Sequence, residues 1–428
     1  MRNINILMFG WEFSPIVAGG LGVVCKALST SLVENYNTSI TYVLPTIPEG
    51  VVIDSGNIEF KNAAIENIQN PYLKVIGVNS NITSPYFSPL VSQEFKFNLK
   101  NAPVQKKSGH KDIYGQNLIQ EVEEYANKAS AFVKTNDYDI IHNHDWMTAS
   151  AAIKAKELSG KPMVMHVHAT EHERTLGKPH PYIFAQELKG MITADVIIAV
   201  SEITKQRIVE NYGIEPSKII IVHNAIERLE SKYGPIAKSV YKDDQIVLFL
   251  ARLTAMKGAD HLLKAAQKVI KVLPKTKFLF IGHGELLEEL IEMSVELGIS
   301  HKVTFTGFLP HDQVDRVYRF ANVFVMPSVM EPFGITPLEA IKNGTPVIIS
   351  KQSGVSEVLQ NVLKVDFWDV NELANKLIAV LKYGVLAEEL SNNSKHDLEK
   401  LTWDSQSKKV LNIYEQLKSN YNLNVEKA

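Results

Sequence analysis

Residues 323–339 read Val323-Phe324-Val325-Met326-Pro327-Ser328-Val329-Met330-Glu331-Pro332-Phe333-Gly334-Ile335-Thr336-Pro337-Leu338-Glu339, and this stretch decides the fold. Its first four residues form an unbroken apolar run, the pattern of a strand covered on both faces in a parallel sheet, and Pro327-Ser328 ends it. A helix is expected from near Thr336, with Thr336 as N-cap, Pro337 at the first helical position and Asn343-Gly344 as the stop. Thr345-Pro346 then leads into a second apolar strand, Val347-Ile348-Ile349. Strand, loop, helix and strand in that order put Glu331 and Glu339 at the carboxyl end of a strand, where open α/β sheets bind ligands. A helix amino terminus offers unpaired N–H groups to a diphosphate, and a carboxylate in its first turn accepts sugar hydroxyls, which together suit a nucleotide sugar. Each glutamate alone also has a plainer role, Glu339 offsetting the helix dipole and Glu331 solvated in its loop.

Working outward, aliphatic strands alternate with helical patterns along most of the 428 residues, which predicts α/β class. The length exceeds what a single core usually fills, so two domains with substantial cores are expected. A formal net charge of -2 supplies no drive toward nucleic acid or an anionic membrane. The one cysteine, Cys25, excludes an internal disulfide framework and points to a reducing, cytoplasmic setting. No apolar run approaches the ~18 residues of a membrane span, so no integral membrane segment is expected.

The strand Ile4 to Phe9 leads into Gly10-Trp11-Glu12-Phe13-Ser14-Pro15, and Gly19-Gly20-Leu21-Gly22 opens a helix toward Leu32. Such glycines let a ligand approach the backbone, but roughly ten residues separate them from the strand, unlike the dinucleotide fingerprint, so a dehydrogenase is disfavoured. A plain helix-entry loop is the other reading of the same glycines. Residues 50–115, rich in Asn, Ser, Lys and Pro, read as an insertion near the cleft, either an acceptor contact or a surface excursion.

His142-Asn143-His144-Asp145-Trp146 follows the strand around Asp139-Ile140-Ile141, and His166-Val167-His168 ends the strand Met163-Val164-Met165. Two histidine-x-histidine pairs invite zinc. The pairs belong to separate strands, and neither a cysteine nor a His-Glu-x-x-His helix accompanies them, so a site without metal and a chelator-resistant activity are expected. Stoichiometric metal on His142, His144, His166 or His168 would overturn that expectation. Arg252 and Lys257 lie just past the strand Ile246 to Leu250. Cations placed there would stabilise a departing diphosphate more in the transition state than in the ground state, although a loop arginine or lysine taken singly is more often a solvated charge.

Glu331-Pro332-Phe333-Gly334, with Glu339 eight positions past Glu331, resembles the paired-glutamate motif of retaining glycosyltransferases of the GT-B fold, the glycogen and starch synthases among them. Arg252 through Lys257-Gly258 matches that family's arginine-x-x-x-x-lysine-glycine segment, and His168 matches its active-site histidine. His142 to Trp146 resembles the synthases' histidine-x-histidine-aspartate-tryptophan motif, and Gly282-His283-Gly284 and Gly354-Val355-Ser356-Glu357 occur in the family's order. Gly19-Gly20-Leu21-Gly22 resembles the second half of their lysine-threonine-glycine-glycine-leucine-glycine segment; the lysine is absent, Val17 and Ala18 precede the glycines, and Val23 stands where many synthases carry an acid.

The resemblance implies two doubly wound, Rossmann-like α/β domains facing a cleft: an N-terminal domain of 1–225 and a nucleotide-sugar domain of 226–402, with a last helix, 403–428, packed back on the first domain. It implies a retaining hexosyltransferase whose donor is a nucleotide diphosphate glucose, ADP- or UDP-linked, and which needs no other cofactor. Arg252 and Lys257 would neutralise the leaving diphosphate, Glu331 would support the donor sugar, Glu339 would hold the ribose, and His168 would bind the sugar and its developing positive charge. Gly19, Gly20, Gly282, Gly334, Ile335 and Thr336 would line the nucleotide sugar, with His144, Asp145 and Trp146 on the acceptor side. A growing α-glucan is the favoured acceptor, a small molecule or exopolysaccharide precursor the runner-up. A catalytically silent carbohydrate-binding protein on the same scaffold is the reading from a different class, against which the intact Arg252, Lys257, Glu331 and Glu339 speak.

Overall fold

The computed structural model describes residues 4–14, 20–45, 73–77, 118–130, 133, 137–227, 244–309 and 311–425. Gly19, Val17 and Ala18, most of the 50–115 segment, and most of the polar stretch between the domains lie outside the described residues. The strands are β1 (Ile4–Phe9), β2 (Thr38–Leu44), β3 (Leu73–Gly77), β4 (Ile140–His144), β5 (Met163–Val167), β6 (Val196–Ala199), β7 (Ile219–Ile221), β8 (Gln245–Leu250), β9 (Thr276–Ile281), β10 (Val303–Gly307), β11 (Val323–Met326), β12 (Val347–Ser350) and β13 (Leu363–Val365). They form two sheets, of order β3-β2-β1-β4-β5-β6-β7 and β10-β9-β8-β11-β12-β13, with every strand pair parallel. The expected pair of doubly wound sheets is therefore present.

Helices cover both faces of each sheet, which is why the strands read as continuous apolar runs. Leu7 and Phe9 of β1 face a core shared with Val122, Tyr125 and Ala152. Ile6 and Met8, one residue out of phase, face the opposite core with Cys25, Leu28 and Val410. Val410 belongs to the helix Trp403–Val425, which lies on the first lobe: Tyr36 donates its hydroxyl to Asp404 (3.0 Å) and Lys418 pairs with Asp139 (2.6 Å). Among the described residues no helix is long and apolar enough to cross a membrane.

Three local expectations are corrected. Leu73–Gly77, inside the segment read as an insertion, is an edge strand paired in register with β2; its short run is masked by polar neighbours in sequence. The first histidine pair does not follow its strand, since His142 and His144 lie within β4; of the second pair His166 lies within β5 and only His168 falls just past it. The sequence reading ended each strand where apolar residues stopped, whereas hydrogen bonding to the neighbour carries each one further. Thr336 is the first helical residue of Thr336–Lys342, Ile335 is the N-cap, and no side chain caps that end.

Candidate active site

The two sheets each reverse strand order once, between β1 and β4 and between β8 and β11. Loops leaving adjacent strands at such a point splay to opposite sides and open a crevice. Arg252 follows β8 and Glu331 follows β11, so the second lobe's cation loop and acidic loop emerge side by side. Main-chain contacts draw them closer, since Val329 N–H donates to the Met256 carbonyl (2.9 Å). Gly258, at φ 69°, lies so near Pro327 that a Cβ there would be 2.1 Å from the Pro327 carbonyl oxygen. Only glycine fits both that conformation and that approach. The result is an ion pair in which Lys257 Nζ is 2.6 Å from Glu331 Oε2, with side-chain exposures of 16% and 9%. Ser328 donates its hydroxyl to the same oxygen at 3.2 Å.

The remaining second-lobe candidates surround this pair. Arg252 is exposed at the end of β8, and its loop is braced by the Leu253 N–H to His283 carbonyl bond of 2.8 Å. Gly282, at φ 134°, leaves no room for a Cβ, which would fall 2.0 Å from the Ala251 carbonyl oxygen; its role in the structure is close strand-end packing beneath Arg252. Gly334, Ile335 and Thr336 are half-buried at the entry to the helix Thr336–Lys342. Glu339 accepts the Tyr318 hydroxyl at 3.0 Å. Ile335 also marks where the lobes meet, because a Cβ on Gly20 would stand 3.9 Å from Ile335 Cδ1. A hollow of about 190 Å³ lined by Asn5, Leu7, Ser39, Thr41 and Tyr138 lies elsewhere on the first sheet and holds none of these residues.

From the first lobe, His168 is half-buried just past β5, its Nε2 2.9 Å from His144 Nδ1. Burial, then the neighbouring histidines, holds His168 well below the ordinary histidine range, and burial holds His144 at about 3, so both rings are neutral. Asp145 and Trp146, expected on the acceptor side, are 2% and 1% exposed. Asp145 is occupied with the chain around His168: its Oδ1 accepts the His168 N–H (2.7 Å) and its Oδ2 accepts Arg174 Nη2 (2.8 Å). Its φ of 57° is paid for by those bonds.

Two residues that sequence reasoning passed over belong to this arrangement. Arg174 joins Asp145 to Glu187, whose carboxylate also accepts the Glu171 N–H at 2.9 Å and the Tyr212 hydroxyl. Glu12, past the end of β1, is buried at 4% exposure between Trp11 and Phe13, and its Oε2 has no hydrogen-bond partner. Burial raises the Glu12 carboxyl to about 7, opposed by Arg252 of the other lobe and by the Gly22 N–H. The signal available in sequence was a carboxylate flanked by aromatics at a strand end. Because its folded pKa exceeds the unfolded value, Glu12 binds more protons when folded, and its contribution to stability falls as pH rises from about 4.5 to about 7. Glu12→Gln is expected to flatten the stability profile over that window and to gain about 3 kcal/mol over wild type at pH 8, read by urea denaturation across pH.

The lobes also latch beneath the cleft. Glu357 accepts the N–H groups of Glu202 (2.9 Å) and Ile203 (3.0 Å) at the amino end of the helix Glu202–Tyr212, and pairs with His223 at 3.2 Å. Burial works against its charge, but these hydrogen bonds prevail and hold the carboxyl below its usual range.

The family described as Glycosyl transferases group 1 matches residues 236–397, and Glycosyltransferase Family 4 matches residues 110–228. An uncharacterized glycosyltransferase of Methanocaldococcus jannaschii is 28% identical over 96% of this chain and 98% of its own. A glycogen synthase of Mycobacterium tuberculosis is 25% identical over 84% of this chain and 80% of its own. Among solved structures, a sucrose-phosphate synthase from Thermosynechococcus elongatus superposes with a TM-score of 0.74 at 19% identity, covering 97% of this chain and 100% of that one. Fold and sequence matches agree: the chain is a glycosyltransferase of the GT-B fold, and it resembles the glycogen synthases.

Proposed function

We propose that the protein transfers glucose, with retention of configuration and without a covalent intermediate, from an ADP- or UDP-linked donor to an α-glucan. The observation that carries this reading is the Lys257–Glu331 pair at 2.6 Å, set at the strand-order reversal with Arg252 on the same loop and Gly20 of the other lobe nearby. In this reading the donor diphosphate lies against Arg252 and Lys257, which take up the charge released as the glycosidic bond breaks. Freed from Lys257, Glu331 supports the donor sugar, while Glu339 accepts the ribose hydroxyls in place of Tyr318. His168 faces the sugar as a neutral ring and donates or accepts a hydrogen bond without adding positive charge beside the developing oxocarbenium ion. The diphosphate is held by these side chains, so no metal takes part in the transfer step.

A panel of nucleotide sugars, each offered with and without glycogen, tests the proposal through free nucleotide release and the anomeric configuration of the product. Release from ADP- or UDP-glucose that rises several-fold with glycogen, giving an α-linked product, is the expected result. Glycogen-independent release supports the second reading, a small-molecule acceptor, which the absent lysine and Val17-Ala18 before the glycines favour. No release from any donor would point to the silent carbohydrate-binding protein.

A further inference from the structure

Four histidines converge behind the cleft. β4 and β5 are neighbours with His144 opposite His166, so His142 and His144, and His166 and His168, project from one face of the sheet. The objection drawn from the sequence, that the pairs belong to separate strands, is removed by this register. Ring centroids of His142 and His144 are 4.6 Å apart, those of His144 and His166 5.4 Å, and those of His142 and His166 5.6 Å. All three rings are buried, at 0%, 0% and 2% exposure.

Their hydrogen bonding is incomplete in a patterned way. His142 Nδ1 meets the Tyr414 hydroxyl at 2.6 Å and His144 Nδ1 meets His168 Nε2 at 2.9 Å. The Nε2 atoms of His142 and His144, and both ring nitrogens of His166, have no hydrogen-bond partner. Buried polar atoms without partners are rare, and a cluster of them calls for a physical reason. In His142 and His144 one nitrogen is fixed by a neighbour and the other is left open, the arrangement of a ligating histidine, while His166 has both nitrogens open. One ligand atom from each of His142, His144 and His166 lies within 4.8 Å of the others. A tetrahedral zinc site needs about 3.3 Å between ligand nitrogens, so binding an ion would draw the rings together by up to about 1.5 Å.

We propose that His142, His144 and His166 bind one divalent transition-metal ion of the zinc class, behind the transfer site and outside its chemistry. Imidazole nitrogens suit zinc, and three of them leave a fourth position for a water molecule. The alternative group, Cys25 with His144 and His168, lacks the open nitrogens of His142 and His166. The ion would also set a tautomer. His144 bound through Nε2 carries its proton on Nδ1 and donates to His168 Nε2, which leaves the His168 proton on Nδ1.

The test uses the full chain. Protein expressed in zinc-supplemented medium and gel-filtered is expected to retain one zinc per chain by elemental analysis. Cobalt-loaded protein is expected to show visible d–d bands without a thiolate charge-transfer band. His166→Gln is expected to lower cobalt affinity about a hundred-fold, and Tyr414→Phe, which spares every ligand, about tenfold. Far-substoichiometric zinc, with no rise in Tm when zinc or cobalt is added, would overturn the proposal. So would a cobalt–thiolate band abolished by Cys25→Ser, which would move the ion to the alternative group, or unchanged cobalt affinity in folded His166→Gln. If His166→Gln does not fold, unchanged affinity in Tyr414→Phe serves as the overturning result.

Discussion

Lys257→Ala is expected to lower kcat by on the order of a thousand-fold while leaving the fold intact, because a preorganised donor aimed at developing charge is worth that much when removed alone. The lysine is held in place before any donor arrives, its ammonium 2.6 Å from Glu331 and its loop fixed by the Val329 to Met256 bond. A charge pair at about 4 Å and an effective dielectric near 20 is worth on the order of 4 kcal/mol before desolvation, which sets the scale of the loss. Arg252→Ala is expected to act in the same direction. Lys257→Arg should recover only part of the rate, since a planar guanidinium does not reproduce a compact ammonium beside Glu331 and the Ser328 hydroxyl. Removing the lysine also leaves a mostly buried carboxylate with less support, so a stability loss of about 1–3 kcal/mol accompanies the change and must be separated from it by working well below Tm. Donor turnover and thermal melting of the same preparations check both quantities. Near-wild-type turnover in both alanine variants would falsify the assignment of the diphosphate to this loop.

What could be read from sequence follows the range of the interactions involved. The unit from Val323 to Glu339 was legible because it is local: an unbroken apolar run, a proline stop and a Pro-containing helix start lie within one stretch. That Lys257 meets Glu331 needed one further step, since both loops leave apolar strands, and the parallel pairing of β8 with β11 then sets them side by side. Glu12 and Arg174 were not legible in the same way. Their significance depends on what packs around them, Arg252 from the other lobe in one case and Glu187 in the other. The histidines show the limit most clearly: residue spacing fixes which side chains share a face within a strand, but only the register of β4 against β5 brings His144 opposite His166.

Arg174→Leu is expected to destabilise the folded chain by about 3–5 kcal/mol, the cost of leaving buried charge without its counter-ion. The Arg174 side chain is 7% exposed and those of Asp145 and Glu187 are 2% exposed. Burial already raises Glu187 to about 8 and raises Asp145, in each case with Arg174 as the leading opposing influence. Without the guanidinium both carboxyls take up protons more readily in the folded chain than in the unfolded one. Stability of the variant should then fall more steeply than that of wild type as pH rises from the unfolded carboxyl range toward 8 and above, so the deficit should be larger at pH 9 than at pH 6 in urea denaturation. Arg174→Lys should restore part of it, since one ammonium cannot reach both carboxylates with the geometry of the fork. A second readout separates this from simple loss of packing. Asp145 holds the His168 N–H at 2.7 Å, so a loosened Asp145 should misplace His168 and lower kcat even at pH 6, where most of the variant remains folded. An equal deficit at both pH values, with kcat unchanged, would mean that Arg174 contributes packing alone and that the polar knot after β5 does not set the position of His168.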